Sequence, residues 1–319
     1  MKSKKLELRD IAKYSHYLIL VLLCIVMSFV SDNFLTISNI TSILKQSSML
    51  IIMSLGMMFA MILGRGVDMS IGAIVSISSC MAAGFLRASS SVYLILLGFV
   101  VALSVGALAG MLNGALITYL HLPAILVTFG VREILRGIVY YYMDGGVVVN
   151  LHPIITYLGA GWVGKVPVPV IVAAIMTLLS AFILKCTALG RRLYVVGANP
   201  VSARFSGYNV KKTVIMGFVL SGMMAALAGI MYIGRLGSAE AEIGKEFAFT
   251  AVSAAAIGGV SFNGGIANVG GVVVGAIILN LLTNGMNLMN ISSSWQGVLN
   301  GVIIICAVLL DYLSNRKSR

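Results

Sequence analysis

Apolar runs long enough to cross a bilayer recur along the whole chain, broken by short polar or glycine-rich turns. A spanning helix takes about 20 mostly apolar residues. Segments near 15–32, 46–63, 69–86, 92–119, 123–142, 168–186, 213–234, 249–260, 268–289 and 295–312 reach or approach that length. The pattern predicts an all-α fold, a polytopic transmembrane helical bundle of about ten spans forming one membrane domain over 1–319. Segment 249–260 is short and suits a half-helix or a re-entrant hairpin. Segment 92–119 is long, so it tilts or protrudes.

Composition removes the soluble reading. Charged residues make up 10% of the 319 and hydrophobic residues 59%, with a mean hydropathy of +1.02, whereas soluble domains carry about 25% charged residues. The net charge of +12 lies in short basic runs between apolar stretches. That is a topology signal and gives no footprint for nucleic acid. With the N-terminus inside, fifteen of the 22 Lys and Arg residues fall on the inner side. Lys45, Arg87, Lys165, Arg235 and Lys245 fall outside, and Arg132 and Arg136 lie within the fifth span. Both termini are therefore expected in the cytoplasm. The basic N-terminus followed by apolar Tyr17–Val30 resembles a secretion signal, but no small-residue cleavage site follows, so it reads as an uncleaved first span.

Two connectors are long. The outer one, 143–167, contains glycine, proline and Trp162. The inner one, 187–212, is basic and carries a short-helix signature. Asn199 is a good N-cap, Pro200 suits the first helical position, and Gly207 suits the left-handed residue after the last turn. A capped short helix holding Ala203 and Arg204 is more than a linker needs, and suits insertion into a groove on a partner.

Two glycine clusters interrupt apolar stretches: Gly64–Gly72, containing Asp68 and Ser70, and Gly258–Gly271, containing Gly259 and Asn263. Broken helices at matching places in two halves mark a transport pathway. Spans 2–5 and 7–10 start on opposite sides, so they are expected to form inverted repeats. Gly106, Gly110 and Gly114 recur every four residues, as close helix packing requires. Asp68 and Glu133 are the carboxylates at membrane depth before Asp311. Each has an arginine three residues away (Arg65, Arg136) and suits either a pathway role or a structural ion pair. The sequence holds no phosphate-binding loop and no H-E-x-x-H, and His16, His121 and His152 form no cluster. Cys24, Cys80, Cys186 and Cys306 show no ligand spacing and read as small apolar side chains.

These motifs, in their order, resemble the permease subunits of bacterial ATP-binding cassette importers for sugars. The likeness is to the ribose, xylose and galactose type, related to the branched-chain amino acid permeases. It rests on Arg65-Gly-Val-Asp68-Met-Ser70-Ile-Gly72, on Thr128-Phe-Gly130 with Arg136-Gly137, and on Thr187 to Gly207, the most specific stretch. Ile257 to Gly265, Asn284-Gly285 and Trp295-Gln296 complete it. The resemblance runs from about Phe34 to Asp311. It departs at Phe247-Ala248-Phe249-Thr250, where relatives often carry a tyrosine-glutamate-leucine-aspartate-like run, here with Glu246 shifted aside.

The resemblance implies a single permease domain in the bacterial inner membrane, paired with a second permease subunit of the same or a homologous chain. It also implies a cytoplasmic ATPase carrying ATP and magnesium, and an extracytoplasmic solute-binding protein that delivers a sugar. No cofactor and no catalytic residue is expected in this chain. It assigns Asn199, Pro200, Ala203, Arg204 and Gly207 to coupling with the ATPase. Asp68, Ser70, Gly72, Thr128, Gly258, Gly259 and Asn263 are candidates for the translocation pathway. Other readings are a permease of the same architecture for branched-chain amino acids or nucleosides, a secondary transporter, and a membrane scaffold. A secondary transporter needs ion-ligating groups at depth, and a scaffold leaves the two broken segments unexplained.

Overall fold

The computed structural model describes residues 8–87, 91–292 and 294–316. The basic residues Lys2, Lys4, Lys5, Lys317 and Arg319, used above for orientation, lie outside the described residues. The chain is almost wholly helical. In order the helices are α1 (Leu8–Val30), α2 (Ile37–Met61), α3 (Ile71–Ala83), α4 (Val92–Tyr119), α5 (Ala124–Met143), α6 (Pro153–Ala160) and α7 (Val168–Cys186). They continue with α8 (Ala188–Ala198), α9 (Pro200–Phe205), α10 (Val210–Leu236), α11 (Phe247–Ile257), α12 (Val269–Leu288) and α13 (Ser294–Arg316). Five of them, α2, α4, α7, α10 and α12, are both long and apolar enough to cross a membrane. With the apolar stretches of α1 and α13, and with α5, which carries Arg132, Glu133 and Arg136, around them, they make a multi-pass membrane bundle.

Burial sorts these helices. α2 is 83% buried over its apolar window and α10 67%, whereas α4 and α7 are only 28% buried. α2 and α10 are therefore the central pair, and α4 and α7 present apolar faces outward. The helix pairings repeat between two halves of the chain. α10 packs on α3 and α4, as α2 packs on α11 and α12; α3 packs on α4 and α5, as α11 packs on α12 and α13. This is the arrangement expected of repeats α2–α5 and α10–α13. Gly106, Gly110 and Gly114 on α4 lie against the backbone of α10, where an added Cβ would come within 2.3 Å of Gly222 O and 2.1 Å of Phe218 O.

The second helix of each repeat is short. α3 has 13 residues and α11 has 11, about 20 and 17 Å at 1.5 Å per residue, against a hydrocarbon core of about 30 Å. Neither spans alone, and each is extended by irregular chain, 62–70 before α3 and 237–246 before α11. Non-helical backbone at this depth is tolerated where it is buried in protein or lines a cavity.

The long connectors hold more structure than their composition suggests. The outer one contains α6, a hairpin in which β2 (Trp162–Val163) pairs antiparallel with β3 (Val166–Pro167), and β1 (Val148–Val149), which pairs antiparallel with β4 (Ser238–Ala239) after α10. Lys45 Nζ donates to Ala160 O at 2.7 Å and stacks over Trp162, pinning this connector to α2. The inner connector contains α8 as well as α9. The cysteines divide: Cys80 is buried and Cys24 half-buried, but Cys186 and Cys306 are exposed at the bundle surface.

Candidate functional site

Asp68 sits in the break before α3 and is fully buried. Its Oδ1 accepts the Ser70 N–H at 3.0 Å and the Ser70 hydroxyl, and its Oδ2 accepts the Ser221 hydroxyl of α10 at 2.8 Å. Asn113 Nδ2 of α4 donates to Ser70 Oγ at 2.8 Å. Thr128 Oγ1 of α5 accepts the Met69 N–H at 3.1 Å and donates within reach of Val67 O and Ala124 O. One carboxylate thus ties the broken segment to α10, and through Ser70 to α4, while Thr128 ties it to α5. Because Asp68 bonds the first free N–H of α3, it also places negative charge at the positive end of that helix. Of the group, only Asn113 Oδ1 is buried without a hydrogen-bond partner among the described residues.

The Asp68–Arg65 ion pair does not form. Gly64 and Gly66 both hold positive φ; the chain turns there so that Arg65 is exposed while Asp68 points into the bundle. Glu133 does pair, with Arg132 at 3.7 Å and Arg136 at 3.9 Å, and Arg136 also reaches Glu242 at 3.6 Å. Tyr140 donates to Glu242. Mid-helix on α5, Glu133 is exposed, and Arg132 and Arg136 are partly exposed.

Gly72 lies at the start of α3, and an added Cβ would meet Gly244 O at 2.1 Å; Gly244 in turn meets Gly72 O at 1.8 Å. The Gly244 N–H donates to Ser76 Oγ at 3.0 Å. The N-terminal ends of the two short helices therefore touch backbone to backbone.

At the other end of α11, Gly258 abuts α12 at Gly271 and Val272, and Gly259 takes φ +81° in the turn. Asn263 to Gly265 then folds back onto the first glycine cluster. The Gly265 N–H donates to Ile62 O at 2.8 Å, and a Cβ on Gly64 would lie 2.5 Å from Asn263 O. The end of α8 enters the same junction, since a Cβ on Gly197 would lie 1.8 Å from Ile62 O and 2.8 Å from Gly265 N. Both breaks and the inner connector thus share one backbone contact.

α9 follows directly. Asn199 Oδ1 accepts the Val201 and Ser202 N–H groups, both at 3.0 Å, with Pro200 at the first position. At the far end the Gly207 N–H donates to Arg204 O and the Tyr208 N–H to Ala203 O, each at 3.0 Å, with Gly207 at φ +82°. These two bonds are a Schellman closure. Ala203 is buried against the bundle, whereas Val201, Arg204 and Phe205 are exposed, Phe205 at 89%. Val201 and Phe205 are four residues apart and share one outward face.

The expected site residues therefore fall in three places. Asp68, Ser70 and Thr128 form the buried hydrogen-bonded knot, with Gly72 at the helix-end contact beside it. Gly258, Gly259 and Asn263 belong to the turn that reaches the inner junction. Asn199, Pro200, Ala203, Arg204 and Gly207 form the capped helix. Sequence reasoning missed Ser221, Asn113, Gly197 and Gly244. Asn113 had a signal, as a lone amide in a helix of mean hydropathy 2.5.

Comparison with known proteins agrees with this architecture. Residues 39–308 match the family model described as branched-chain amino acid transport system / permease component. The D-allose transport system permease protein of Escherichia coli is 36% identical over 307 residues, covering 95% of this chain and 93% of that one. The ribose import permease protein of Haemophilus influenzae is 31% identical over 97% of this chain and 96% of its own length. The galactose/methyl galactoside import permease protein of E. coli is 30% identical over 99% of both. No solved structure matches. The chain belongs to the branched-chain amino acid transport system / permease component family, and is a multi-pass membrane permease.

Proposed function

We propose that this chain is the membrane permease subunit of an ATP-driven, binding-protein-dependent importer whose cargo is a sugar. The sugar reading rests on the ribose, allose and galactose permeases it resembles along nearly its whole length. The ATP-driven reading rests on one observation above others. α9 is capped at both ends, shows Val201, Arg204 and Phe205 to the solvent side, and follows directly from the backbone junction that joins both breaks. ATP and magnesium belong to a cytoplasmic ATPase partner on that side, and a solute-binding protein docks on the outer connector. About ten spans then place the chain in the bacterial inner membrane with both termini inside.

The exposed mid-helix face of α5 supports a paired permease. Charged side chains at membrane depth face a bundle interior or a water-filled path, not lipid. Arg132, Glu133 and Arg136 are at least partly open in a single chain, so a second permease subunit covers this face and the two copies border a path between them. Asp68, Ser70 and Thr128 act beside that path by fixing the broken segment. When ATP closes the motor, α9 is displaced and the junction carries the shift into both repeats, biasing inward- against outward-open states.

Reconstitution of the permease with its ATPase and binding protein in proteoliposomes tests this. Arg204→Glu and Gly207→Val are expected to abolish sugar-stimulated ATP hydrolysis while the membrane domain keeps its melting temperature. Wild-type stimulation in both variants, or uptake by the permease without any ATPase, overturns the reading.

A further inference from the structure

A cavity of about 520 Å³ lies between α2, α11, α12 and α13, within the size range of small-ligand sites. Its walls bring together Gln46 of α2, Glu246 at the head of α11, Asn280 and Thr283 of α12, and Asn300 of α13. Tyr232 and Phe247 close one side and pack edge to face with ring centroids 4.9 Å apart. Asn280 is anchored, its Nδ2 donating to Ile43 O at 2.9 Å and Ser47 Oγ at 2.8 Å. The side chains of Gln46, Glu246, Thr283 and Asn300 make no hydrogen bond or ion pair with any described residue. Polar groups left so in hydrocarbon cost several kcal/mol each, so this wall faces water or a hydroxylated solute. Gln46 lies in the first half of α2, Thr283 in the second half of α12, and Asn300 in the second turn of α13, which places the cavity in the outer half of the bundle.

We propose that this cavity is a sugar-binding site within each permease subunit. The Glu246 carboxylate, the Gln46 and Asn300 amides and the Thr283 hydroxyl match the alternating donors and acceptors of adjacent sugar hydroxyls, and the aromatic pair offers an apolar wall to the ring. The site deepens the sugar-permease reading and rests on it. It also gives a role to the stretch where this chain departs from its resemblance, since Glu246, Phe247 and Thr250 all line the cavity.

The test uses Thr283→Cys with Cys24, Cys80, Cys186 and Cys306 replaced by alanine, reconstituted with the ATPase and binding protein. A small cationic methanethiosulfonate added outside is expected to modify Thr283→Cys far faster than a cysteine placed at the buried Asn113. For the protection assay the binding protein is left out, and D-ribose, D-allose and D-galactose are each added outside; uptake is measured with the binding protein present. At least one is expected to slow the modification, and Asn300→Leu to raise the concentration needed roughly tenfold. Modification no faster than at the buried control, or no protection by a sugar that the complex takes up, overturns the site. Protection without uptake upholds the site and sinks the transport reading; neither uptake nor protection sinks both.

Discussion

Asp68 and Glu246 are carboxylates just ahead of the two short broken helices, Asp68 two residues before the cap of α3 and Glu246 at the cap position of α11. Their surroundings differ. Asp68 is sealed in the bundle, with bonds to Ser70 and Ser221 on both oxygens. Glu246 caps α11 in position only, makes no side-chain cap bond and opens on a cavity. A saturated carboxylate holds its neighbours and has nothing left for a ligand. An unsaturated one keeps its oxygens open to whatever enters the cavity, which is the role proposed for Glu246. What sets the two acids apart is the number of bonds already made, not their presence in the bundle.

Four substitutions sharpen or break this contrast. Asp68→Ala removes charge-assisted bonds worth about 1.5–3 kcal/mol each and strands buried hydroxyls. It is expected to cost about 3–5 kcal/mol, read as a large fall in melting temperature in nanodiscs. Asp68→Asn, which keeps one acceptor, should lose less stability but still lower uptake. A wild-type melting curve for Asp68→Ala would erase the contrast. Gly197→Val drives a branched side chain into Ile62 O and Gly265 N. An overpacking penalty of about 1–3 kcal/mol with uptake lost is expected, and unchanged uptake would mean that the junction does not transmit. Glu246→Gln should leave stability within about 0.5 kcal/mol yet lower uptake roughly tenfold; a fall in melting temperature comparable to that of Asp68→Ala would make Glu246 structural as well.

Much of the bundle was legible from hydrophobic run length. The expected 92–119 and 168–186 are α4 and α7 residue for residue, and the helix capped by Asn199 and closed at Gly207 is α9. α2 and α10 begin earlier than their apolar runs, because Thr36 and Asn209 cap them ahead of those runs. The sequence marks the stretch that forms α8 only as part of a basic connector, and Gly190 and Gly197 within it carry no helix signal. They are glycine because the helix lies within 2.2 Å of Ile183 O and 1.8 Å of Ile62 O at those positions, measured to an added Cβ. The Asp68 knot was half legible. The acid was visible, but Ser221, 153 positions along, is chosen by tertiary packing, which leaves no local pattern. For the same reason the cavity could not be read from the chain: Gln46, Glu246 and Asn300 are ordinary polar residues until four helices bring them together.

The contact shared by Ile62, Gly197 and Gly265 leaves no room for a side chain to act as a cushion. If α9 is the coupling helix proposed above, a push on it reaches both halves of the bundle as one stroke. A partner on that side meets little more than Val201, Arg204 and Phe205, so fitting this permease to a different engine would call for changes on that small patch, with the gearing behind it fixed.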